Sequence, residues 1–122
     1  MKGKYLIDTV ILIDHLNGKK KATEWLKKNK NSFISPITRA ELLVGAEESE
    51  KHSIKLLLDS FETLPIDNEV ANLAAELRKK HRFKLPDAFQ AAIAILNKVE
   101  LVTRNTKDFS KDLKFINVPY KL

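Results

Sequence analysis

The fold is decided near the start of the chain, by the stretch Tyr5-Leu6-Ile7-Asp8-Thr9-Val10-Ile11-Leu12-Ile13. Its first three residues form a short β-favouring run, typical of a buried strand. The apolar run after Asp8 and Thr9 suits a helix that Asn17-Gly18 closes. A strand followed directly by a helix is the opening of an α/β fold, so we expect a parallel sheet.

Strand and helix patterns continue to alternate along the chain. Together they predict a three-layer α/β/α sandwich around a mainly parallel sheet, in a single domain over residues 1–122. No repeat or linker interrupts the pattern. The predicted helices cover 19–30, 38–49, 51–64 and 69–80, with another from Pro86-Asp87; the further strands are at 32–35, 64–67, 101–103 and 115–118.

Composition narrows the class of protein. A chain of 122 residues with 43% apolar content is large enough to bury a core. It has no Cys, which excludes disulfides, a thiolate nucleophile and a zinc–thiolate site, and fits a reducing compartment. Acidic residues interrupt the first apolar run, which is too short for a signal peptide or a membrane span, so we expect a cytoplasmic protein without membrane association.

Three acidic residues, Asp8, Glu41 and Asp87, lie where an apolar run or a Pro-containing turn gives way to a helix. Residues that follow the carboxyl ends of parallel strands meet at one edge of the sheet, so we expect them, with Asn105, to converge. Such a carboxylate group suits a hard cation, Mg2+ or Mn2+. Each acid is equally explained as a helix cap, and Asp67 shows the same pattern.

Net charge and short motifs bear on other classes of protein and of site. The formal charge of +6 fits either a polyanion ligand or a lysine-rich surface. Asp8-Thr9-Val10 is not the Asp-x-Asp of aspartyl-phosphate phosphatases, and the acid pair of a response-regulator receiver is missing. His15, His52 and His81 have no triad or metal spacing. Thr38 and Glu41 match the capping-box pattern.

Four stretches together resemble the PIN-domain ribonucleases, and among them most closely the VapC toxins of toxin–antitoxin pairs. The resemblance implies that Asp8, Glu41 and Asp87 bind metal and are catalytic, and that Thr9 and Thr103 supply hydroxyls near the metal. Asp67 lies outside the motifs and returns to its capping interpretation. The stretches are 6–9, 37–45, 86–92 and 101–109.

The chain departs from the family at its fourth acidic position. Asn105 stands there and brings no charge, while Asp108 nearby is either a substitute ligand or a cap. A site with three carboxylates has less charge to hold two dications. We therefore predict one tightly bound ion in the absence of substrate.

The resemblance further implies a Mg2+- or Mn2+-dependent endoribonuclease acting on tRNA, rRNA or mRNA, a homodimer, and a VapB-like antitoxin as partner. Apolar helix positions Ile54, Leu57 and Leu58 are candidates for pairing with a partner helix. Arg39 and Arg104 are either phosphate clamps or ordinary surface residues. A housekeeping RNA-processing nuclease and a PIN-like domain that binds RNA or a partner without cleavage remain as alternatives.

Overall fold

A computed structural model describes residues 3–110 and 113–122. Within them, five strands form one sheet in the order β3-β2-β1-β4-β5, and every neighbouring pair is parallel. The predicted parallel sheet is confirmed. The strands are β1 (Tyr5–Ile7), β2 (Phe33–Ile34), β3 (Glu62–Thr63), β4 (Glu100–Val102) and β5 (Ile116–Asn117).

Helices connect the strands, and their starts follow from local chemistry. Asp8 caps the first helix, and Asp67 accepts a 2.9 Å hydrogen bond from the backbone of Val70, as its capping interpretation predicts. The helices are α1 (Thr9–Leu16), α2 (Lys20–Lys28), α3 (Pro36–Gly45), α4 (Lys51–Asp59), α5 (Asn68–His81) and α6 (Leu85–Leu96), with a 3-10 turn at Glu48–Glu50.

Two apolar clusters lie on opposite faces of the sheet because successive strand residues point to opposite sides. Leu6 belongs to the cluster beneath α5 and α6, which is rich in alanine from α6. Ile7 belongs to the cluster formed with α1, α2, α3 and α4. In β4, Leu101 likewise belongs to the first cluster and Val102 to the second. The predicted three-layer α/β/α arrangement is therefore confirmed.

The order of the strands reverses between β1 and β4. From β1 the chain proceeds outward through β2 to β3, whereas β4 lies on the other side of β1 and leads to β5. The register pairs Ile7 with Val102, so the two strands end side by side. A crevice at such a switch point, beyond the carboxyl ends of the strands, is where open α/β sheets bind ligands.

Several predicted boundaries were wrong. Helix α3 begins at Pro36, not at Thr38, because Ser35 is the N-cap and proline is favoured in the first turn. Thr38 and Glu41 therefore form no capping box. Helix α4 ends at Asp59, and the edge strand comes at Glu62–Thr63, ahead of the predicted 64–67.

The predicted partner-binding face of α4 was also wrong. Ile54 and Leu58 lie in the core, at 6% and 0% exposure, and Leu57 packs against the same cluster. Their helical spacing marks the face that packs on the sheet. The exposed apolar residues of this region are instead Val44 on α3 and Leu56 on α4.

None of the helices in the described ranges is both long and apolar enough to cross a membrane.

Candidate metal centre

Asp8 directly follows β1 at the switch point, where its backbone N–H donates to the carbonyl of Val102 in β4 at 2.9 Å. Its carboxylate accepts hydrogen bonds from the Thr103 hydroxyl at 2.8 Å, the Gln90 amide at 3.3 Å and the Thr9 backbone at 3.0 Å. Burial raises the pKa of Asp8 and the nearby charge of Glu41 adds to this, while the three hydrogen bonds act in the opposite direction. Asp8 is thus both the cap of α1 and a buried, poorly compensated acid.

Glu41 reaches the same region from the second turn of α3, so its capping interpretation fails. Its Oε1 accepts a 2.7 Å hydrogen bond from the hydroxyl of Thr9. The Thr9 hydroxyl also lies 3.0 Å from that of Thr38. Thr9 therefore links the carboxylate on α3 to the start of α1.

Asp87 approaches from the first turn of α6 and is partly buried. Burial and, after it, the charges of Asp8, Asp108 and Glu41 together raise its pKa to about 6, with Lys84 opposing them. Groups influence a carboxyl in this way only when they lie close to it. Asp8, Glu41 and Asp108 are therefore near enough to Asp87 for their charges to act on it.

Asn105 lies beside the site as a hydrogen-bond donor. Its side-chain amide donates to Oδ2 of Asp108 at 2.7 Å, and its backbone N–H donates to the hydroxyl of Thr103 at 3.0 Å. Asn105 therefore orients both the hydroxyl that holds Asp8 and the nearby carboxylate of Asp108.

Gln90 and Ser35 are functional neighbours that the sequence reasoning missed. Gln90 is 1% exposed; its amide donates to Asp8 and, at 2.9 Å, to Thr38, while its carbonyl accepts from Ser35 at 2.5 Å. A signal was available, because Gln90 is the one polar residue within an apolar run and lies one helical turn after Asp87.

The two arginines near the site are engaged in ion pairs. Arg39 donates to Asp59 at 2.5 Å. Arg104 donates through Nε and a terminal nitrogen to the two carboxylate oxygens of Asp14, each at 2.7 Å. A role for either as a phosphate clamp requires its ion pair to open.

Oxygen donors dominate the centre, which is the chemistry that Mg2+ and Mn2+ prefer. In residues 3–110 and 113–122, no three of the His, Asp and Glu side chains are already gathered as a ligand set for an ion. Even so, burial and the charges of Asp8, Asp108 and Glu41 raise the pKa of Asp87, and Lys84 is the cation that opposes them. A hard dication would relieve that repulsion, and the chemistry of these oxygen donors fits one.

Comparison with known proteins finds relatives that this chain matches over most of their length. The PIN domain family matches residues 5–112. Ribonuclease VapC10 of Mycobacterium tuberculosis is 31% identical over 112 residues, covering 85% of this chain and 84% of its own. Ribonuclease VapC of Rickettsia bellii is 28% identical over 95% of this chain and 97% of its own.

Solved structures give the same result. A toxin–antitoxin complex from Klebsiella pneumoniae contains a chain that superposes with a TM-score of 0.90 at 36% identity, covering 97% of this chain and 99% of that one. Ser35 to Gly45 and the other stretches singled out above all lie within the matched residues. The chain therefore belongs to the PIN-domain family, and within it to the VapC ribonucleases.

Proposed function

We propose that this protein is a metal-dependent endoribonuclease and the toxin of a toxin–antitoxin pair, which hydrolyses RNA phosphodiester bonds with the help of Mg2+ or Mn2+. The observation that carries the proposal is the convergence of Asp8, Glu41 and Asp87 at the switch point between β1 and β4, in a chain related to ribonucleases. Like charges placed together at a strand edge need a cation partner.

Asp8, Glu41 and Asp87 would hold the ion. When bound, the ion would polarise a water molecule and neutralise phosphoryl oxygens. Thr103 and Gln90 fix the carboxylate of Asp8 by hydrogen bonds of 2.8 and 3.3 Å, and Thr9 fixes that of Glu41. Residues held in this way keep their geometry when substrate enters, which is the protein's main contribution to such a reaction.

Asp108 would supply the fourth negative charge that Asn105 does not. Its charge raises the pKa of Asp87, and the Asn105 amide holds its Oδ2 at 2.7 Å. The family's fourth acidic position is thus served, in this chain, by an acid three residues later. In this proposal Asp108 lies next to the ion, and Asn105 orients the carboxylate of Asp108.

The proposal includes a cytoplasmic location, a homodimer and a VapB-like antitoxin. The absence of Cys suits a reducing compartment. The related Klebsiella pneumoniae chain belongs to a toxin–antitoxin complex, which supports a protein partner here. Val44, at 87% exposure on α3, and Leu56, at 60% on α4, are large apolar side chains available for such contacts.

The test is cleavage of RNA by the protein purified free of partner. Total tRNA and rRNA are incubated with Mg2+ or Mn2+, and separately with chelator. Asp8→Asn and Asp87→Asn are run beside Asp67→Asn, a matched control because Asp67 also follows an apolar run and caps a helix, and Asn caps equally well.

We expect metal-dependent cleavage by the wild type and by Asp67→Asn, and loss of at least about a hundredfold in the two site variants, as for removal of a charged catalytic group. Intact RNA in every lane would contradict the proposal. Metal binding without cleavage would then favour a domain that binds RNA or a partner. Cleavage by a protein whose gene has no neighbouring antitoxin-like reading frame would favour a housekeeping nuclease.

A further inference from the structure

A cavity of about 770 Å³ adjoins the acidic centre on the β5 side of the sheet. It lies between the end of α5, the loop after β4 and the residues that follow β5. Asp108 lines it and accepts a 2.7 Å hydrogen bond from the Asn105 amide. The backbone N–H of Asn105 donates to Thr103, whose hydroxyl holds Asp8, so the cavity borders the acidic centre. Its volume lies within the range of about 300–1,000 Å³ of small-molecule sites.

One wall of the cavity is apolar and aromatic. Phe83 is 4% exposed and stacks on the exposed ring of His81, with centroids 5.0 Å apart and planes 14° apart. Ile116 and Val118 extend this wall and are themselves partly exposed. Tyr120 is fixed at the edge, since its hydroxyl donates to Asp14 at 2.8 Å. Flat apolar groups stack favourably on such a wall.

The rim of the cavity is basic. Lys107 and Lys121 line it, and neither side chain is in an ion pair within residues 3–110 and 113–122. Asp108 is the only carboxylate among the described lining residues, and the amide of Asn105 already binds it. Free lysines beside an aromatic wall match a nucleotide, which combines a phosphate with a flat base.

We propose that this cavity is a subsite for one unpaired nucleotide of the RNA substrate, with its base against the Phe83 and His81 wall and its phosphate at Lys107 and Lys121. The proposal rests on the proposed function and deepens it. A base can enter such a cavity only when it is not paired, so the subsite selects single-stranded segments and loops.

The first test is an NMR titration of Asp87→Asn, whose RNA cleavage is expected to be strongly reduced, with 5′-AMP and 5′-UMP. Inorganic phosphate is titrated in parallel. We expect the nucleotides to shift the resonances of Phe83, Val118 and Tyr120, and phosphate alone to leave the apolar wall unchanged. Equal shifts from phosphate alone, or no shifts from either nucleotide, would overturn the subsite.

The second test measures kcat and KM separately on a short single-stranded RNA. Val118→Trp fills the cavity, and the double change Lys107→Ala with Lys121→Ala removes its charge. Lys55→Ala is the matched control, an exposed lysine on α4 near the other end of the sheet. We expect KM to rise about tenfold in the cavity variants, consistent with one lost base stack, and to be unchanged in the control.

The two proposals fail in different ways. If the cavity variants cleave RNA with the same KM as Lys55→Ala, the subsite is overturned and the nuclease stands. The same conclusion follows if the cavity variants bind an antitoxin more weakly but keep an unchanged KM. Absence of cleavage by the wild type overturns the nuclease, and the nucleotide titration then decides the subsite independently.

Discussion

Arg104 and Asp14 form a two-point ion pair that ties the loop after β4 to helix α1. Both bonds are 2.7 Å, and the Asp14 side chain is only 4% exposed. The same carboxylate accepts from Tyr120 near the end of the chain. Arg104 lies between Thr103 and Asn105, which orient Asp8 and Asp108, so the ion pair supports the acidic centre without belonging to it.

Asp14→Asn is therefore expected to lower the free energy of unfolding by about 2 kcal/mol, since charged hydrogen bonds are lost at a buried site. Chemical denaturation measures this. Asp59→Asn is the control, because it breaks the other arginine–aspartate pair, whose carboxylate is 65% exposed, and should cost less than about 0.5 kcal/mol. Equal effects in the two variants would contradict the assignment of Asp14 as a buried anchor.

The same pair predicts a pH dependence. Hydrogen bonds from Arg104, and then from Tyr120, lower the pKa of Asp14 from its ordinary value of 3.8. A group with a lowered pKa in the folded state stabilises the fold above its unfolded pKa and loses that contribution as pH falls. The stability difference between wild type and Asp14→Asn should be constant above about pH 5 and shrink below pH 4. A stability difference between the two proteins that is unchanged at pH 2 would contradict the lowered pKa of Asp14.

Much of the architecture was predictable because it depends on local patterns. The runs at Tyr5–Ile7 and Leu101–Val102 alternate with helical periods, and the parallel sheet with helices on both faces follows. Exact helix starts were harder to predict. Ser35-Pro36 and Thr38-x-x-Glu41 are competing start signals three residues apart, and the serine cap with proline behind it prevails.

The support of the acidic centre was not predictable in the same way. Asp8, Glu41 and Asp87 were identified because each follows a recognisable junction, and resemblance chose them over Asp67. The hydrogen bonds of Gln90 join residues 52 and 82 positions apart. Likewise, Asp14 meets Arg104 across 90 residues. Such partners depend on how helices pack, which periodicity within one helix does not encode.

Gln90 gives a third prediction. Gln90→Met keeps the volume but removes the amide that binds Asp8 and Thr38 and the carbonyl that accepts from Ser35. The buried hydroxyls lose partners, so the free energy of unfolding should fall by about 1–3 kcal/mol. Cleavage should fall as well, because Asp8 is less firmly held. The control Gln90→Glu retains an acceptor for Ser35 but adds repulsion of Asp8, and Mg2+ should restore its stability.

If Gln90→Met keeps the stability and the activity of the wild type, the amide of Gln90 only fills space. Thermal melts with and without about 5 mM Mg2+ separate the two variants, because a bound ion stabilises the folded protein more when its affinity for the site is higher, and Gln90→Met holds Asp8 less firmly. Gln90→Met should then gain less from the metal than the wild type does.

Asp87 gives a fourth prediction, of opposite sign to that of Asp14. Burial and the charges of its neighbours raise the pKa of Asp87 from 3.8 to about 6. In the metal-free protein this destabilises the fold increasingly from about pH 4 and in full above about pH 6. Asp87→Asn should increase the free energy of unfolding at pH 7 by about 1 kcal/mol, a value discounted for partial exposure, and leave it unchanged below pH 4. Saturating Mg2+ should make the wild type the more stable of the two proteins at pH 7. If metal-free Asp87→Asn is no more stable than the metal-free wild type at pH 7, the proposed repulsion is contradicted.

The number of ions gives the last prediction. With Asn105 at the fourth position, the substrate-free wild type should bind one Mn2+ tightly in calorimetry. Asp108 supplies its charge from three residues away and is held by the Asn105 amide, so it is not placed to ligate a second dication. Asn105→Asp places a second carboxylate where the amide now lies 2.7 Å from Asp108, and a second tight ion should then relieve their repulsion. Asn105→Ser is the matched control, since it removes the amide without adding charge and should keep a single site. Two tight sites in the wild type would mean that Asp108 already supplies the full charge of the missing acid.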